Sequence, residues 1–496
     1  MKLSRIFILA LFAIIATTTV SAQRPIRLEV TPHQLPDSFD LSYYGKKDPW
    51  LAGGEVFGFN MGVWAIDRFI QKAEYAYING HTIRNNFRRG FVWDNDQMGT
   101  NMFLHPYHGN LYFNSARSNG YNFWQSGLFA LGGSAMWEFF MENEYPSLND
   151  IIATPVGGMA IGELTYRASD IVLKDNSTGW ERFGREAAAF VIAPTRGLTR
   201  IINGDAWRKR PTTGRQFGIP NVAIEFSAGI RMLQLKDRLI DEGAGGAFQF
   251  NLEYGDRFEV ESSPRPYDYF SFNAELNVHK SQPVLGQLNI VGRLLSKELL
   301  DNYATSMSIG MYQHFDYYDS DTISKVSSVT PYKLGVPASV GAGLMFRDVQ
   351  RGRFAMDAFL HANGIGLGAI LSDYYRVDQR NYNLAAGYSV KGGANLVLNH
   401  DFLSLAASYE YYRLFTWDGY PRDIDWETVN PHTLDAQGDR SVAGFGVFSG
   451  RADIKVWRKL YATVHFTHYR RATHYHFHPT VHSSTYALRF MLSYKL

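Results

Sequence analysis

The chain has 496 residues, a formal net charge of +2 at pH 7 and no cysteine. The lack of cysteine excludes structural disulfides, thiolate metal sites and a lipidated cysteine anchor, and the nearly balanced charge argues against nucleic acid as a partner. Aromatic residues make up 15% of the chain and glycine contributes 45 residues. This composition is typical of an exported outer-membrane β-barrel, although soluble secreted enzymes can share it.

The start of the chain has the pattern of a secretory signal. A short basic region precedes an apolar run over residues 6–15, and the small residues ending at Ala22 form a cleavage site. Such a segment directs export through the Sec pathway and is removed from the mature protein. We therefore predict a signal peptide over residues 1–22, followed by an extended lead-in over residues 23–53.

Helical periodicity dominates the next part of the chain, residues 54–210. The segment "NMGVWAIDRFIQKAEYA" carries one apolar stripe, and "NFWQSGLFALGGSAMWEFFMENE" is rich in small residues that permit close helix packing. Pro146 ends one helix, and Ser147 or Asn149 is suited to cap the next one. About 150 helical residues are more than a twelve-strand bore would hold. We therefore expect this domain to lie in the periplasm below a barrel, or to plug it in part.

Polar residues concentrate in the middle of this helical domain. His105 and His108 are three residues apart and share a helix face, and Pro106 between them fits only a first helical turn. Histidines with carboxylates could bind a divalent metal, or act as acid and base on an ester or phosphate. The candidate catalytic residues are His105, His108, Glu138 and Asp150, and the candidate binding residues are Arg117, Glu142 and Glu163.

A structural interpretation of the same residues stays open. Buried acids and histidines in a glycine-rich helical packing need internal partners, because an unpaired buried polar group is costly. Arg117 and Arg167 are available as such partners. In that case the polar residues hold the helical domain together and have no catalytic role.

The same stretch resembles a known family. The residues that carry the resemblance are "HPYHGNLYFNSARSNG", Trp137-Glu138 and "PSLNDIIATPVGGMAIGE", and they are similar to exported envelope proteins classed as a domain of unknown function. The resemblance spans roughly residues 60–175 and implies that a barrel follows. The resemblance implies no activity. The positions that it implies are shared with the family are His105, His108, Arg117, Glu138, Pro146, Ser147, Asp150, Gly157, Gly158 and Glu163.

From residue 216 to residue 496 the hydrophobic period is two. Segments such as "YFSFNAELNVH" and "YALRFMLSYKL" alternate apolar with polar residues. This pattern is typical of membrane strands around a water-filled lumen, and also of half-buried strands in a soluble β-sandwich. About twelve such segments are joined by connections that alternate between short and long, as in bacterial outer-membrane barrels. We therefore predict an α+β membrane protein whose C-terminal transmembrane antiparallel β-barrel of about 12 strands follows an α-helical domain.

Two further features fall on these strands. Residues of both charges occupy the polar faces, which predicts a salt-bridge network that fills the bore. They are Glu253, Glu275, Glu410, Arg451, Asp453, Lys455 and Arg489. Near the end of the chain, His474, His476 and His478 alternate with aromatic residues, so that all three would share one strand face. Such a trio could bind zinc or copper, and the alternative is a polar rim of the barrel.

These observations predict a protein in the outer membrane of a Gram-negative-type bacterium, surrounded by outer-membrane lipids. Three functional classes stay open. The first is a transport or export component with a helical plug or adaptor, which could have a periplasmic protein partner. The second is an envelope-lipid hydrolase or transferase that uses His105, His108, Glu138 and Asp150. The third is a structural or assembly protein. The sequence defines no substrate.

Overall fold

The computed structural model describes most of the chain from residue 46 to residue 496. The predicted signal peptide and the lead-in up to residue 45 therefore lie outside the described residues. Shorter stretches are also outside them: 219, 236–244, 259–264, 280–281, 303, 321–329, 351–353, 378, 400, 426–427 and 430–434.

Seven α-helices precede the strands in the described part of the chain. Asp48 caps the first helix, Asn79 and Asn122 form capping boxes at the second and fourth, and Ser147 caps the fifth. The first helix begins within the stretch predicted to be extended. The helices are α1 (Pro49–Ala65), α2 (Gly80–Arg89), α3 (His105–Ser118), α4 (Phe123–Phe140), α5 (Leu148–Val172), α6 (Gly179–Ile192) and α7 (Pro194–Ile202), with π-helical turns at Ile66–Gln71 and Thr100–Leu104.

In the described residues, twelve strands follow and form one closed antiparallel barrel, in which each strand pairs with its neighbours in sequence and β1 pairs with β12. This confirms the fold class and strand number expected from the period-two pattern. The strands are β1 (Val222–Leu235), β2 (Gly245–Tyr254), β3 (Phe270–Val278), β4 (Leu285–Asp301), β5 (Thr305–Asp319), β6 (Lys333–Gln350), β7 (Phe354–Leu371), β8 (Tyr382–Leu398), β9 (Leu403–Thr416), β10 (Ser441–Trp457), β11 (Leu460–Tyr475) and β12 (Val481–Lys495).

The two ends of the barrel differ in their connections. At one end, here called the turn end, β1 begins and β12 ends, and most strands are joined by short connections: 302–304, 351–353, 399–402 and 458–459. At the opposite end, here called the loop end, the connections include 372–381 and 417–440. From β3 onward, short turn-end connections alternate with longer loop-end ones, as the sequence predicted. The connection between β2 and β3, residues 255–269, was expected to be short and is long.

Alternate strand residues point into the bore. The Lys391 Nζ atom on β8 lies 2.6 Å from Asp316 Oδ2 on β5, and these strands are not neighbours in the sheet. The contact therefore crosses the bore, and Asp316 faces inward. Because side chains alternate along a strand, Phe315 and Tyr317 face outward.

The helices pack against this outer face of the barrel. The Gln313 amide, also on the outward side of β5, donates to the main-chain oxygen of Val156 in α5 at 2.8 Å. The rings of Phe103 and Tyr317 lie 6.1 Å apart, and α5 contacts each strand from β4 to β7. The sequence led us to expect this domain below the barrel or in its bore. The contacts place it on the outer wall, because outward aromatic residues of β5 supply an apolar surface for α5.

Close helix contacts hold this helical unit together. Gly109 of α3 and Gly158 of α5 lie back to back, and a Cβ added at Gly158 would be 2.5 Å from the Gly109 carbonyl carbon. Only glycine allows two helix backbones to approach this closely. Among the described residues, no α-helix combines the length and apolar character needed to cross a membrane.

Candidate functional site

The polar cluster lies where α4 ends and α5 begins. Ser147 caps α5, because its side chain accepts a hydrogen bond from the Asp150 N–H at 3.2 Å. Glu138, near the end of α4, accepts a hydrogen bond from the Ser147 N–H at 2.7 Å. Both carboxylic residues are almost fully buried. One short hydrogen-bonded turn therefore brings Glu138 and Asp150 of the predicted site together.

His105, the first residue of α3, joins them. Its Nε2 atom lies 3.7 Å from Asp150 Oδ2. The Asn149 amide donates to Asp150 Oδ1 and to Asp94 Oδ2, both at 3.0 Å. Asp94 also accepts from the Asn101 amide at 2.5 Å. The cluster therefore consists of His105, Asp150 and Asp94, in which Asn149 bridges the two acids and Asn101 bonds to Asp94 alone.

Burial determines which of these groups carry charge. It raises the pKa of Asp150 well above its usual range, and the negative charge of Asp94 raises it further. Burial alone would also raise the pKa of Asp94, but hydrogen bonds from Asp150, Asn101 and Asn149 outweigh it and lower that pKa. Asp94 is therefore ionised at neutral pH, and protonated Asp150 donates to it.

The other groups of the cluster are neutral for the same reason. Burial lowers the pKa of His105, although Asp94 opposes the shift. Burial raises the pKa of Glu138 to about 8, and a hydrogen bond links this residue to Glu142. The pKa of Glu142 is also raised, first by burial and then by Glu138. The 3.7 Å contact between His105 and Asp150 thus joins neutral groups.

His108 faces a different set of partners. Its Nε2 atom lies 3.0 Å from the Tyr112 hydroxyl, which is itself 2.6 Å from the Asn60 side-chain oxygen of α1. The imidazole also meets the edge of the Trp137 ring, with centroids 5.4 Å apart. The structure therefore gives His108 hydrogen-bond and ring partners of its own beside the His105 cluster.

The candidate binding residues Arg117 and Glu163 form a closed ion triad with Arg167. Arg117 makes two hydrogen bonds to the Glu163 carboxylate, at 2.7 and 3.1 Å. Arg167 Nε adds a third at 2.9 Å. Glu163 is fully buried, so both of its oxygens are satisfied within the protein. This agrees with the internal pairing considered for the structural interpretation.

The three histidines near the end of the chain do not lie on one strand. Strand β11 ends at Tyr475, so His476 and His478 lie in the following loop. His478 Nε2 is 3.7 Å from Asp439 Oδ1, and His474 contacts Thr480 at 3.2 Å. Within the described ranges, no group of three or more His, Cys, Asp or Glu residues is arranged to hold a metal ion.

The cluster is connected to the barrel through residues 93–97, here called the latch segment. Arg380, from the loop before β8, donates to the main-chain oxygen of Asp94 and, at 2.5 Å, to that of Ala436. The Trp93 N–H donates to Asp435 at 2.9 Å. Further contacts join Tyr375 to Asn95 at 2.8 Å and Gln379 to Gln97 at 2.6 Å. The latch segment is therefore bonded to two loops at the loop end of the barrel.

One of these loops also reaches across the opening of the bore. Arg471 of β11 makes two hydrogen bonds to Asp373 in the loop after β7, at 2.6 and 2.7 Å. Strands β7 and β11 are not neighbours in the barrel, so this charged pair spans the opening. Arg471 is fully buried, which means that the loop covers it.

Below this pair, aromatic side chains from opposite walls meet in the bore. Tyr332 and Tyr469 stack with ring centroids 4.3 Å apart, and the Tyr318 and Phe445 rings are 5.7 Å apart. We call this set the aromatic layer. Its five buried members are Tyr318, Tyr332, Tyr412, Phe445 and Tyr469.

Ion pairs fill the bore around the aromatic layer, as the mixed charges of the strands predicted. Arg489 bonds to Glu275 at 2.5 Å, and Lys391 lies 3.5 Å from Glu410. At the turn end, a cavity of ≈ 340 Å³ is lined partly by polar residues, including Glu225, Asn251, Asn273 and Lys495. The aromatic layer therefore separates the cavity at the turn end from the loops at the loop end.

Several important residues of this arrangement were not predicted. Asp94 lies in an irregular stretch between helices, where no periodic pattern indicates its position. The sequence "WDNDQ" did contain a signal, because two acids and an asparagine precede a helix start. Arg380 and Tyr375, which contact the latch segment, come from a barrel loop far along the chain. Arg380 and Asp94, for example, are 286 residues apart. No local sequence pattern indicates such a pairing.

Residues 90–195 match a family described as Domain of unknown function (DUF3943). This range contains the whole polar cluster and overlaps the stretch for which the sequence indicated a resemblance. It covers less than half of the chain. No curated protein matches the sequence.

Solved structures with a similar fold are outer-membrane channels and porins of low similarity. The CymD monoaromatic hydrocarbon channel has 13% identity and a TM-score of 0.22, with 55% of this chain and 87% of the channel covered. The NanC porin has 7% identity and a TM-score of 0.26, with 56% and 100% covered. The toluene transporter TodX of Pseudomonas putida has 9% identity and a TM-score of 0.22, with 55% and 89% covered. We transfer no cargo or activity from these proteins.

Proposed function

We propose that this protein is a gated channel of the outer membrane, exported through the Sec pathway. In this proposal a closed state is held by the aromatic layer and by loops bonded to the helical unit. The observation that carries the proposal is that side chains from opposite strands meet at the centre of an otherwise polar, ionic bore.

The outer surface of the strands supports the membrane placement. Large apolar side chains on the outward face are exposed, as expected for a surface that contacts lipid rather than water. They include Phe226, Val390, Tyr409, Phe448, Val464 and Phe490. A soluble protein would bury a surface of this size.

The lipid-enzyme hypothesis receives less support from the same contacts. Asp94 and Asp150 bond to each other and to Asn149, and Glu138 bonds to the Ser147 N–H. These acids therefore have partners within the protein, as a scaffold requires. The periplasmic partner and the metal site of the histidines stay predictions.

Ion conductance of the full-length protein in planar lipid bilayers tests the proposal. We expect rare openings of the wild type and frequent openings of a Tyr332→Ala/Tyr469→Ala variant, because the stacked pair no longer fills the bore. Tyr388→Ala, which removes an outward-facing tyrosine, is the matched control. Heat-modifiable gel mobility verifies that each barrel is folded. A folded double variant that stays as closed as the wild type would overturn the proposal.

A further inference from the structure

The helical unit spans the full height of the barrel wall. At the loop end, the latch segment bonds to Arg380 and Asp435. At the turn end, Arg167 of α5 donates at 2.8 Å to the main-chain oxygen of Pro266, in the connection between β2 and β3. With 25 residues, α5 is about 37 Å long, which exceeds the hydrocarbon thickness of roughly 30 Å of a typical bilayer.

Two helices of this unit, α4 and α1, expose apolar surfaces. On α4, Trp124, Leu128 and Leu131 are exposed to 56, 68 and 44%. Their spacing of four and three residues places them on one face of the helix, and we call them the α4 stripe. The other exposed residues of α4 are Gly132 and Phe140.

Helix α1 has the same character. Its exposed residues are Pro49, Trp50, Gly53, Gly54, Phe57, Gly58 and Gly62. A helix that faces water normally exposes charged and polar side chains on that side. The exposed residues of α1 and α4 include neither kind.

The charged residues packed beneath α1 and α4 are paired within the unit, whereas exposed charges lie on other helices, such as Arg88 of α2 and Glu181 of α6. Glu163 is bonded to Arg117 and Arg167. Glu55 of α1 accepts hydrogen bonds from Thr199 and Asn119, at 2.7 and 3.1 Å. An apolar outside with a paired polar inside is the arrangement expected of a protein in a lipid environment.

We propose that α1 and the α4 stripe contact the acyl chains of the bilayer, so that the helical unit is embedded in the outer membrane beside the barrel. The occupant is lipid, because α4 packs on α5 and α5 runs along β4 to β7 from the loop end to the turn end, beside the exposed apolar outer face of the strands. The polar cluster then lies at the level of the outer loops, where it bonds to them. This inference rests on the membrane placement in the proposed function, but not on gating.

The lack of cysteine in the chain permits a direct test with single-cysteine variants of the full-length protein. Leu128→Cys and Phe57→Cys report on the helical unit, Tyr409→Cys on the barrel wall, and Asp423→Cys on an outer loop. Each is spin-labelled in liposomes, and its collisions with oxygen and with a water-soluble nickel chelate are measured by electron paramagnetic resonance. Lipid-facing labels meet oxygen often and nickel rarely.

We expect the labels at positions 128 and 57 to behave like the label at 409, and unlike the label at 423. High nickel accessibility at 128 and 57 would mean that water covers these helices and would overturn the inference. Low accessibility to both reagents would mean that a second copy or another protein covers them, which also overturns it. If the label at 409 itself meets nickel freely, the membrane placement of the barrel fails instead. The two failures are therefore distinguishable.

Discussion

Arg380 donates to the main-chain oxygen of Asp94, and through this bond a barrel loop holds the segment that carries the ionised acid of the polar cluster. The same guanidinium donates to Ala436 in the next outer loop. Three parts of the molecule therefore meet at a single buried side chain. A change at this point should weaken the attachment of both loops to the helical unit.

Arg380→Ala should loosen the latch segment. Hydrogen bonds from a charged donor contribute about 1.5–3 kcal/mol each, so we expect amide exchange in residues 93–97 to become at least about tenfold faster. Hydrogen-exchange mass spectrometry of the full-length protein measures this rate. Arg376→Ala is the control, because Arg376 bonds to carbonyls of its own loop. Equal exchange in both variants would contradict the latch.

Glu138 should make stability depend on pH. Its pKa rises from 4.5 to about 8 because it is buried, so the folded protein binds a proton more tightly than the unfolded chain does. The stabilisation is complete below pH 4.5 and is lost progressively as the pH rises toward about 8. Thermal unfolding followed by tryptophan fluorescence should therefore show a falling midpoint over this range.

Glu138→Gln should remove this contribution to the pH dependence, because glutamine does not titrate. The exposed Glu74 of the same helical unit offers a matched control, and Glu74→Gln should retain the wild-type slope. If Glu138→Gln and the wild type show parallel midpoints from pH 5 to 8, then Glu138 does not titrate as the burial requires.

Glu163→Ala should destabilise the helical unit strongly. It leaves Arg117 and Arg167 buried without their counter-charge, and breaking a buried pair in this way typically costs about 3–5 kcal/mol. Urea unfolding in detergent, followed by near-ultraviolet circular dichroism, measures the loss. Glu181→Ala removes an exposed ion pair and should leave the midpoint almost unchanged. Similar midpoints for both variants would argue against the triad as the main support of α3 and α5.

Gly158→Ala should separate α3 from α5. The new methyl group would meet the Gly109 backbone at 2.5 Å, and a main-chain atom cannot rotate away as a side chain can. We expect a cost above the roughly 1–3 kcal/mol of ordinary overpacking, measured by the same unfolding experiment. Gly54→Ala on the exposed side of α1 has no atom within 4 Å, and it should be neutral or stabilising because alanine favours helix. A tolerated Gly158→Ala would show that the helices can move apart.

The strands were predictable because their pattern is local. In β3, Phe272 and Ala274 alternate with Asn273 and Glu275, and this alternation alone determines which residues face the bore. The position of the helical unit was not predictable in this way. The outward residues Phe315 and Tyr317 look the same in sequence whether lipid or a helix covers them. Gln313 was the available signal, because an outward amide on a lipid-facing strand needs a partner such as Val156.

In the candidate site, too, local features were predictable from the sequence, whereas contacts between separate helices were not. Pro106 was expected in a first helical turn, but α3 continues directly from the π-helical turn Thr100–Leu104 and has no capping residue. The capping role of Ser147 was among the predicted alternatives. The contact between His105 and Asp150, however, depends on how two helices cross. The prediction that His474, His476 and His478 share one strand face was wrong for a local reason. Strand β11 ends at Tyr475, so the alternation of histidine and aromatic residues continues into a loop.

The helices cover the barrel unevenly, and this bears on how the molecule is assembled. Helix α5 rests on β4 to β7, whereas outward residues along the junction of β1 and β12, including Ile230 and Leu492, are left exposed. That junction joins the first strand of the barrel to the final one, so it can form only once β12 is present. Because α5 rests on β4 to β7, closure of the barrel at this junction requires no movement of that helix.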